Sequence, residues 1–424
     1  MSDVTFCGLD FGTSNSTIGI YHNGVCQLVP LEAEKATIRS AIFYDYEEEV
    51  LSYGQHGIDT YLEGAPGRLM MALKSILGSP LIHDKTLIDN ALVPYSEIIG
   101  KFIKNLKERA ESVANTALTQ VVVGRPVRFH DTDDVKDKAA QDGLEAILRQ
   151  QGFRDITFQY EPIAAAKTYE QSITTEQLAL IVDIGGGTSD FSIIRIVPTK
   201  KGGNRVEDIL SNKGIHIGGT DFDKCLSLQK VMPLLGMHSL MRGSSSDIAV
   251  PTSYYQDLTT WHTLNSLYKV EVIERVRAIY SAAHDKTLLL RLLKVLRNKQ
   301  GHSILNAVEL SKHFLSEKPE INIDLGFIEE TLKVLVTQND FNFILTKHVQ
   351  DLLSVITQTL TDAGVLASTI SAVFYTGGST KIPLIKKSID ALFPQAEKVH
   401  GDAFGSVGLG LTLYAFQKYY RDLK

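Results

Sequence analysis

The stretch Leu178 to Arg195, L-A-L-I-V-D-I-G-G-G-T-S-D-F-S-I-I-R, decides the fold. Its first half is dense in Ile, Val and Leu, the make-up of a buried strand, and three consecutive glycines break it. Phe191 to Ile196 resumes the apolar run, so the spacing predicts a strand, a tight glycine turn and a return strand. Asp183 stands where the turn begins; Thr188 and Asp190 stand where it ends. Gly185, Gly186 and Gly187 lack Cβ atoms, so they can take positive φ and let backbone amides approach an anion closely. Carboxylates beside a phosphate require a cation between them, and Mg²⁺ is the usual one, so Asp183 and Asp190 are candidates for its hydrated shell. Taken alone, the same residues also describe a plain hairpin loop with a Ser/Thr/Asp-rich tip.

Working outward, the composition bounds what such a turn can serve. A chain of 424 residues exceeds what one hydrophobic core usually supports, so two lobes are expected. With 44% hydrophobic and 22% charged residues it reads as an ordinary soluble globular protein. A net charge of -6, with no dense Lys/Arg cluster, argues against nucleic acid as a partner. Met1 to Phe6 has no signal-peptide pattern and no apolar run is long enough to span a membrane, which predicts a cytoplasmic protein. Cys7, Cys26 and Cys225 are scattered and odd in number, which suits a reducing compartment and excludes a cysteine-based zinc site.

Val4 to Ile20, V-T-F-C-G-L-D-F-G-T-S-N-S-T-I-G-I, repeats the opening design: strand, acidic residue, glycine turn with hydroxyls, return strand. Asp10, Gly12, Thr13, Ser14 and Asn15 follow in the order of Asp183, the glycines, Thr188 and Ser189. Two such hairpins imply a duplicated fold whose halves face each other across a nucleotide. The pair resembles the two phosphate loops of the actin-like ATPase superfamily, which includes actin, sugar kinases and the seventy-kilodalton heat-shock (DnaK-type) chaperones.

Further stretches resemble the chaperones. Ala65 to Gly78, A-P-G-R-L-M-M-A-L-K-S-I-L-G, has apolar residues at helical spacing around Lys74, which by spacing alone sits on a solvated helix face. K-S-I-L-G is similar to a chaperone K-R-L-I-G segment whose lysine reaches the γ-phosphate and the attacking water, and this implies a catalytic Lys74. Glu97 to Asn115 and Asp131 to Gln151 read as helices, and Val121 to Val123 as a buried strand. In Y-E-P-I-A-A-A-K-T-Y, residues 160 to 169, proline suits a helix's first turn, and Glu161 is equally a helix-start carboxylate or a catalytic group. The resemblance to E-P-T-A-A-A-I-A-Y implies that Glu161 contacts the Mg²⁺ and water shell and that the proline relays nucleotide state between lobes. Gly218 and Gly219, in I-H-I-G-G-T-D-F-D, match L-G-G-E-D-F-D and suggest ribose or phosphate contacts, though a helix N-cap explains them nearly as well.

Leu226 to Gln300 carries no recognisable chemistry. In Asn306 to Lys318, N-A-V-E-L-S-K-H-F-L-S-E-K, residues Glu309, Lys312 or His313, and Ser316 share one helix face, which by itself describes a surface ion pair. The ungapped resemblance to E-R-A-K-R-T-L-S implies Glu309 and Lys312 on ribose hydroxyls and Ser316 on adenine. His313 replaces the family arginine, so the fixed charge of a guanidinium is missing there. Ser371 to Leu384, S-A-V-F-Y-T-G-G-S-T-K-I-P-L, resembles V-G-G-S-T-R-I-P and carries over Gly377, Gly378 and Ser379, with Lys381 in place of arginine. Asp402 matches a family aspartate near the ribose. Gly405, Gly408 and Gly410 read as close-packing glycines of a terminal helix, Phe404 to Tyr420.

The resemblance covers only the chaperones' nucleotide-binding domain and is greatest to the short YegD-type branch. It implies an α/β actin-like ATPase fold with two RNase-H-like lobes around a nucleotide cleft. Lobe I would span 1–176, with a subdomain inserted at about 35–115. Lobe II would span 177–424, with an insertion at about 222–345 and a terminal helix on lobe I. Mg-ATP would be hydrolysed by water: Asp10 and Asp183 would hold hydrated Mg²⁺, Thr13, Ser14 and glycine amides would bind phosphates, and Lys74, Glu161, Thr188 and Asp190 would act on the γ-phosphate and water. A small-molecule kinase and a nucleotide-gated interaction module remain the competing classes.

Overall fold

The computed structural model describes residues 5–77, 82, 84–89, 91–130, 133–171, 173–198, 205–243, 245–400 and 405–420. The chain forms two compact units. One comprises Met1–Gly218, Asp351–Thr380 and Ile385–Lys424; the other comprises Gly219–Gln350 and Lys381–Leu384.

The larger unit is built on two sheets with one topology. In the first, the hairpin of Phe6–Phe11 and Asn15–His22 is extended on the return-strand side by antiparallel Val25–Leu28. On the other side stand parallel Gln120–Arg125 and then parallel Asp155–Tyr160. The second sheet repeats this with Gln177–Ile184, Ser189–Ile196 and Ile209–Ile215 antiparallel in turn, then Ala372–Thr376 and Glu397–His400 in parallel. Parallel neighbours need a crossover. Helix Asp134–Gln150 carries the chain from Gln120–Arg125 to Asp155–Tyr160, and helix Pro383–Leu392 carries it from Ala372–Thr376 to Glu397–His400. Asp133 starts the former by accepting hydrogen bonds from the Val135 and Lys136 amides, both at 3.0 Å. This duplicated five-strand order is the actin-like ATPase arrangement that the sequence implies.

The central strands are almost wholly apolar and buried, as strands covered on both faces must be. Helix Ser406–Tyr419 packs against Phe6–Phe11 and against the short helix Glu161–Ala166. The contact is backbone-close. A Cβ on Gly410 would collide with the Ala164 carbonyl, and one on Gly408 with the Thr17 hydroxyl, so both glycines serve packing. Nearby, buried Arg205 pairs with Glu170 and Asp208 and donates to the Tyr414 hydroxyl at 3.1 Å.

One expectation fails. The spacing over Ala65 to Gly78 suggests a helix, but Gly67–Met71 is a strand paired with Ala41–Asp45. A single 3₁₀ turn, Leu73–Ile76, follows left-handed Ala72 at φ 55°. Strand pairing to a neighbour far away in sequence overrides a weak local period.

The smaller unit is mainly helical. Helix Gly219–Leu226 runs into a π turn, Ser227–Val231, and helices Val270–Ala282, Lys286–Arg297 and Gly301–Leu315 precede the hairpin Glu320–Asp324/Lys333–Thr337. Among the described residues, no helix is long and apolar enough to cross a membrane.

Candidate functional site

Both hairpin tips are tied down from behind. At the first, Ser40 donates its hydroxyl to Gly12 O at 2.7 Å and its amide to Ser14 O at 2.9 Å, and its hydroxyl lies 2.9 Å from that of Ser16. At the second, the Gly185 amide donates to Thr188 O at 2.9 Å, Ser189 Oγ to Ile217 O at 2.7 Å and Ser379 Oγ to Gly185 O at 3.3 Å. Ser40 carries no motif, and nothing in the sequence signals its role. Gly12 to Asn15 and Gly185 to Gly187 remain partly accessible.

The two tips meet. A Cβ on Gly186 would collide with Ser14 Oγ, and one on Gly187 would lie 3.9 Å from Thr13 Cγ2. Gly218 fits beneath, since a Cβ there would stand 2.6 Å from the Gly186 carbonyl group. None of Gly185, Gly186 and Gly187 lies in the left-handed region, so the expectation of positive φ is not met. What the turn uses is the missing side chain. Gly377 does need its conformation: its φ is +77°, and a Cβ would come within 2.8 Å of Asp183 Oδ1.

The strands then deliver the charged groups to one place. Asp10 is the last residue but one of the central strand of the first sheet, and Asp183 occupies the corresponding position in the second. Glu161 opens its helix directly after strand Asp155–Tyr160, with Pro162 in the first turn. Lys74 arrives on the 3₁₀ turn, and its Nζ lies 2.7 Å from Glu161 Oε1, both side chains being nearly buried. Gly124 leaves space beside them: a Cβ would be 3.3 Å from Glu161 Cγ and 3.6 Å from Asp10 Oδ1.

Three carboxylates thus share one ammonium. Burial, with the charges of Glu161 and Asp183 outweighing that of Lys74, pushes the Asp10 carboxyl up to about 8. Burial and Glu161 likewise push Asp183 up to about 6, while the Thr376 hydroxyl and Lys74 restrain it. Burial pulls the Lys74 ammonium down, yet Glu161, Asp10 and Asp183 together hold it above its ordinary value. Fully ionised, the three carboxylates exceed the one ammonium by two negative charges, which is what a divalent cation would neutralise. Among the described residues no three His, Cys, Asp or Glu side chains form a direct metal-ligand set. At the mouth of the second tip, Thr188 Oγ1 donates to Asp190 Oδ2 at 3.3 Å.

Of the residues expected around adenosine, Glu309, Lys312 and His313 lie on helix Gly301–Leu315, in the smaller unit. Lys312 is buried there, with Nζ 2.7 Å from Asp223 Oδ2 and 3.1 Å from Gly219 O. Burial pushes the Asp223 carboxyl up to about 6 against the pull of Lys312. Asp223 belongs to the D-F-D run, whose carboxylates read only as a helix start, and the sequence does not show that it engages Lys312. His313 is exposed, 3.9 Å from Glu309 Oε1. Ser316 closes the helix and donates to Lys312 O at 3.2 Å. Gly378 and Lys381 bound a 3₁₀ turn that includes Ser379. Asp402 lies outside the described residues.

A family model described as Hsp70 protein matches residues 81–231 and 294–415, more than half of the chain. The chain belongs to the Hsp70 family. The family match leaves out 1–80, which holds the first hairpin and Lys74, as well as 232–293 and 416–424. This Hsp70-family chain is 23% identical over 434 residues to a chaperone protein HscA homolog of Shewanella sp. (strain ANA-3). It is 24% identical over 433 residues to one of Ralstonia pickettii (strain 12J). Each alignment takes in 96% of this chain and 57% of the relative, so the chain spans somewhat over half the length of the curated relatives it matches.

Proposed function

We propose that this chain binds Mg-ATP and hydrolyses it slowly, as the nucleotide-binding part of a chaperone-like system. The observation that carries this reading is the meeting of Asp10, Asp183, Glu161 and Lys74 beneath two glycine-lined tips. Thr13, Ser14 and the amides of Gly185 to Gly187 would bind phosphate oxygens, for which the partly accessible backbone is suited. Asp10 and Asp183 would hold hydrated Mg²⁺, which when bound neutralises phosphate charge. Lys74 would steady the γ-phosphate, and Glu161 would hold Lys74 and accept a hydrogen bond from the attacking water, with Thr188 and Asp190 on its far side. Phosphoryl transfer asks for this kind of positioning and charge neutralisation rather than covalent help. Glu309, Lys312, His313, Ser316, Gly377, Gly378, Ser379, Lys381, Gly218, Gly219 and Asp402 would serve the nucleoside. In this reading 1–176 and 177–424 are the two lobes. The relatives named as chaperones support the chaperone-like role.

The test is Lys74→Ala under single turnover. ATP affinity should stay within a few fold, and hydrolysis should fall about tenfold or more, the loss expected when one transition-state charge contact goes. An unchanged rate removes Lys74 from the chemistry. A wild-type protein that gains no thermal stability from Mg-ATP refutes the whole reading.

A further inference from the structure

Arg125 touches neither Asp10 nor Lys74, yet it grips the junction from which Glu161 projects. We propose that Arg125 is a positioning residue that fixes Glu161 against Lys74. Arg125 ends strand Gln120–Arg125 and sits directly opposite Tyr160, the last residue of strand Asp155–Tyr160. Helix Glu161–Ala166 begins at the next residue, with no loop between, and no side chain caps it at Tyr160. A junction without slack passes any shift of Tyr160 straight to Glu161.

The guanidinium is immobilised from several directions. Nε donates to Pro126 O at 3.0 Å, one terminal nitrogen donates to Gln141 Oε1, and the other donates to Asp137 Oδ2 at 2.9 Å and to Val127 O at 3.2 Å. Asp137 and Gln141 are one turn apart on helix Asp134–Gln150, so both partners come from one rigid face. The Arg125 Cζ then lies over the Tyr160 ring, 5.4 Å from the centroid, and over the Phe129 ring at 5.2 Å. A cation–π contact made by a planar fork held this fully is something lysine cannot copy. The charge of Arg125 is answered locally by Asp137, so what reaches Glu161 is position rather than potential. Gly124, the preceding residue, supplies the space in which the Glu161 stem lies.

The decisive measurement does not require ATP. A double-mutant cycle of Lys74→Met and Glu161→Gln, read as unfolding equilibrium constants in denaturant, gives the coupling of the ion pair in the wild type. The same cycle in an Arg125→Lys background keeps the charge and most of the stem but loses the fork and the contact it makes. The coupling factor should shrink about fivefold or more. Tyr160→Leu, which leaves Arg125 in place and removes the ring it lies over, should shrink it similarly and serves if Arg125→Lys folds poorly. Lower melting temperatures with an unchanged coupling factor in either background would overturn the proposal, because Arg125 would then be structural only. A hydrolysis arm rests on the proposed function: Arg125→Lys should slow single-turnover hydrolysis about tenfold with Mg-ATP affinity held within about twofold. A wild type that does not hydrolyse ATP removes that function, while the ion-pair cycle still decides the role of Arg125.

Discussion

Replacing Asp10 by Asn should make the ligand-free protein more stable and the nucleotide-bound protein less so. The reason is the crowding of three carboxylates around Lys74. The Asp10 carboxyl has an ordinary value of 3.8 and is pushed up to about 8. Between those values the unfolded chain has released the proton and the folded chain retains it, so folding stability falls as pH rises across that window and is fully present only below it. At about 1.36 kcal/mol per pH unit the whole window corresponds to about 6 kcal/mol. Water reaches the carboxyl in part, and Asn keeps the shape without the charge. A gain of about 2–4 kcal/mol at pH 8 is therefore expected for Asp10→Asn. Thermal or urea melts of both proteins in chelator, from pH 4 to pH 8, measure it. The wild type should lose stability across the series, Asp10→Asn should lose less, and the two should converge near pH 4. With Mg-ATP the order should reverse, since the wild type alone regains a cation partner for that carboxylate. The reasoning is refuted if Asp10→Asn is the less stable ligand-free protein at pH 8, or if the gap fails to close toward pH 4.

Two substitutions separate room for a ligand from room for the fold. Gly187→Ala places its methyl in ordinary contact, 3.9 Å from Thr13 Cγ2, so melting should be nearly unchanged while Mg-ATP affinity drops about tenfold, read by calorimetry. Gly12→Ala drives its methyl into the Asn15 carbonyl and should instead cost about 1–3 kcal/mol of stability before any ligand is added. Lys312→Met leaves Asp223 without its cation, and should cost about 3 kcal/mol at pH 8 in denaturant melts. Because the Asp223 carboxyl is pushed up to about 6, the cost should be smaller at pH 5, where the acid can hold its proton.

The two hairpins are legible in sequence because each is a buried apolar run cut by glycines, a contrast that no surface segment mimics. Val121 to Val123 is legible for the same reason. Strand Ile209–Ile215 is not: it reads I-L-S-N-K-G-I and lies at the edge of its sheet, where polar residues are tolerated and the period is lost. Gly67–Met71, G-R-L-M-M, is hidden differently, since so short a segment with three apolar residues fits helix and strand alike until its partner Ala41–Asp45 is known. Lys74 and Glu161 could be named only through resemblance. Their ion pair joins positions far apart in the chain, and no local pattern encodes it.

Duplication explains why two carboxylates arrive at matched positions, but their neighbours do not match. On the antiparallel side Asp10 faces Thr17, whereas Asp183 faces Asp190. On the parallel side Asp183 has Thr376 as its register partner, and that hydroxyl restrains its rise. Asp10 has Gly124 near it instead, and the space so left is taken by the Glu161 stem. Burial and the Glu161 charge raise both carboxyls, but only Asp183 has the Thr376 hydroxyl set against them, and it stands at about 6 where Asp10 reaches about 8. On the proposed function, the first hairpin, whose carboxyl is the more strongly raised, would be the half of the site that gains more from an added cation. A symmetric pair of sheets would have no reason to favour either side.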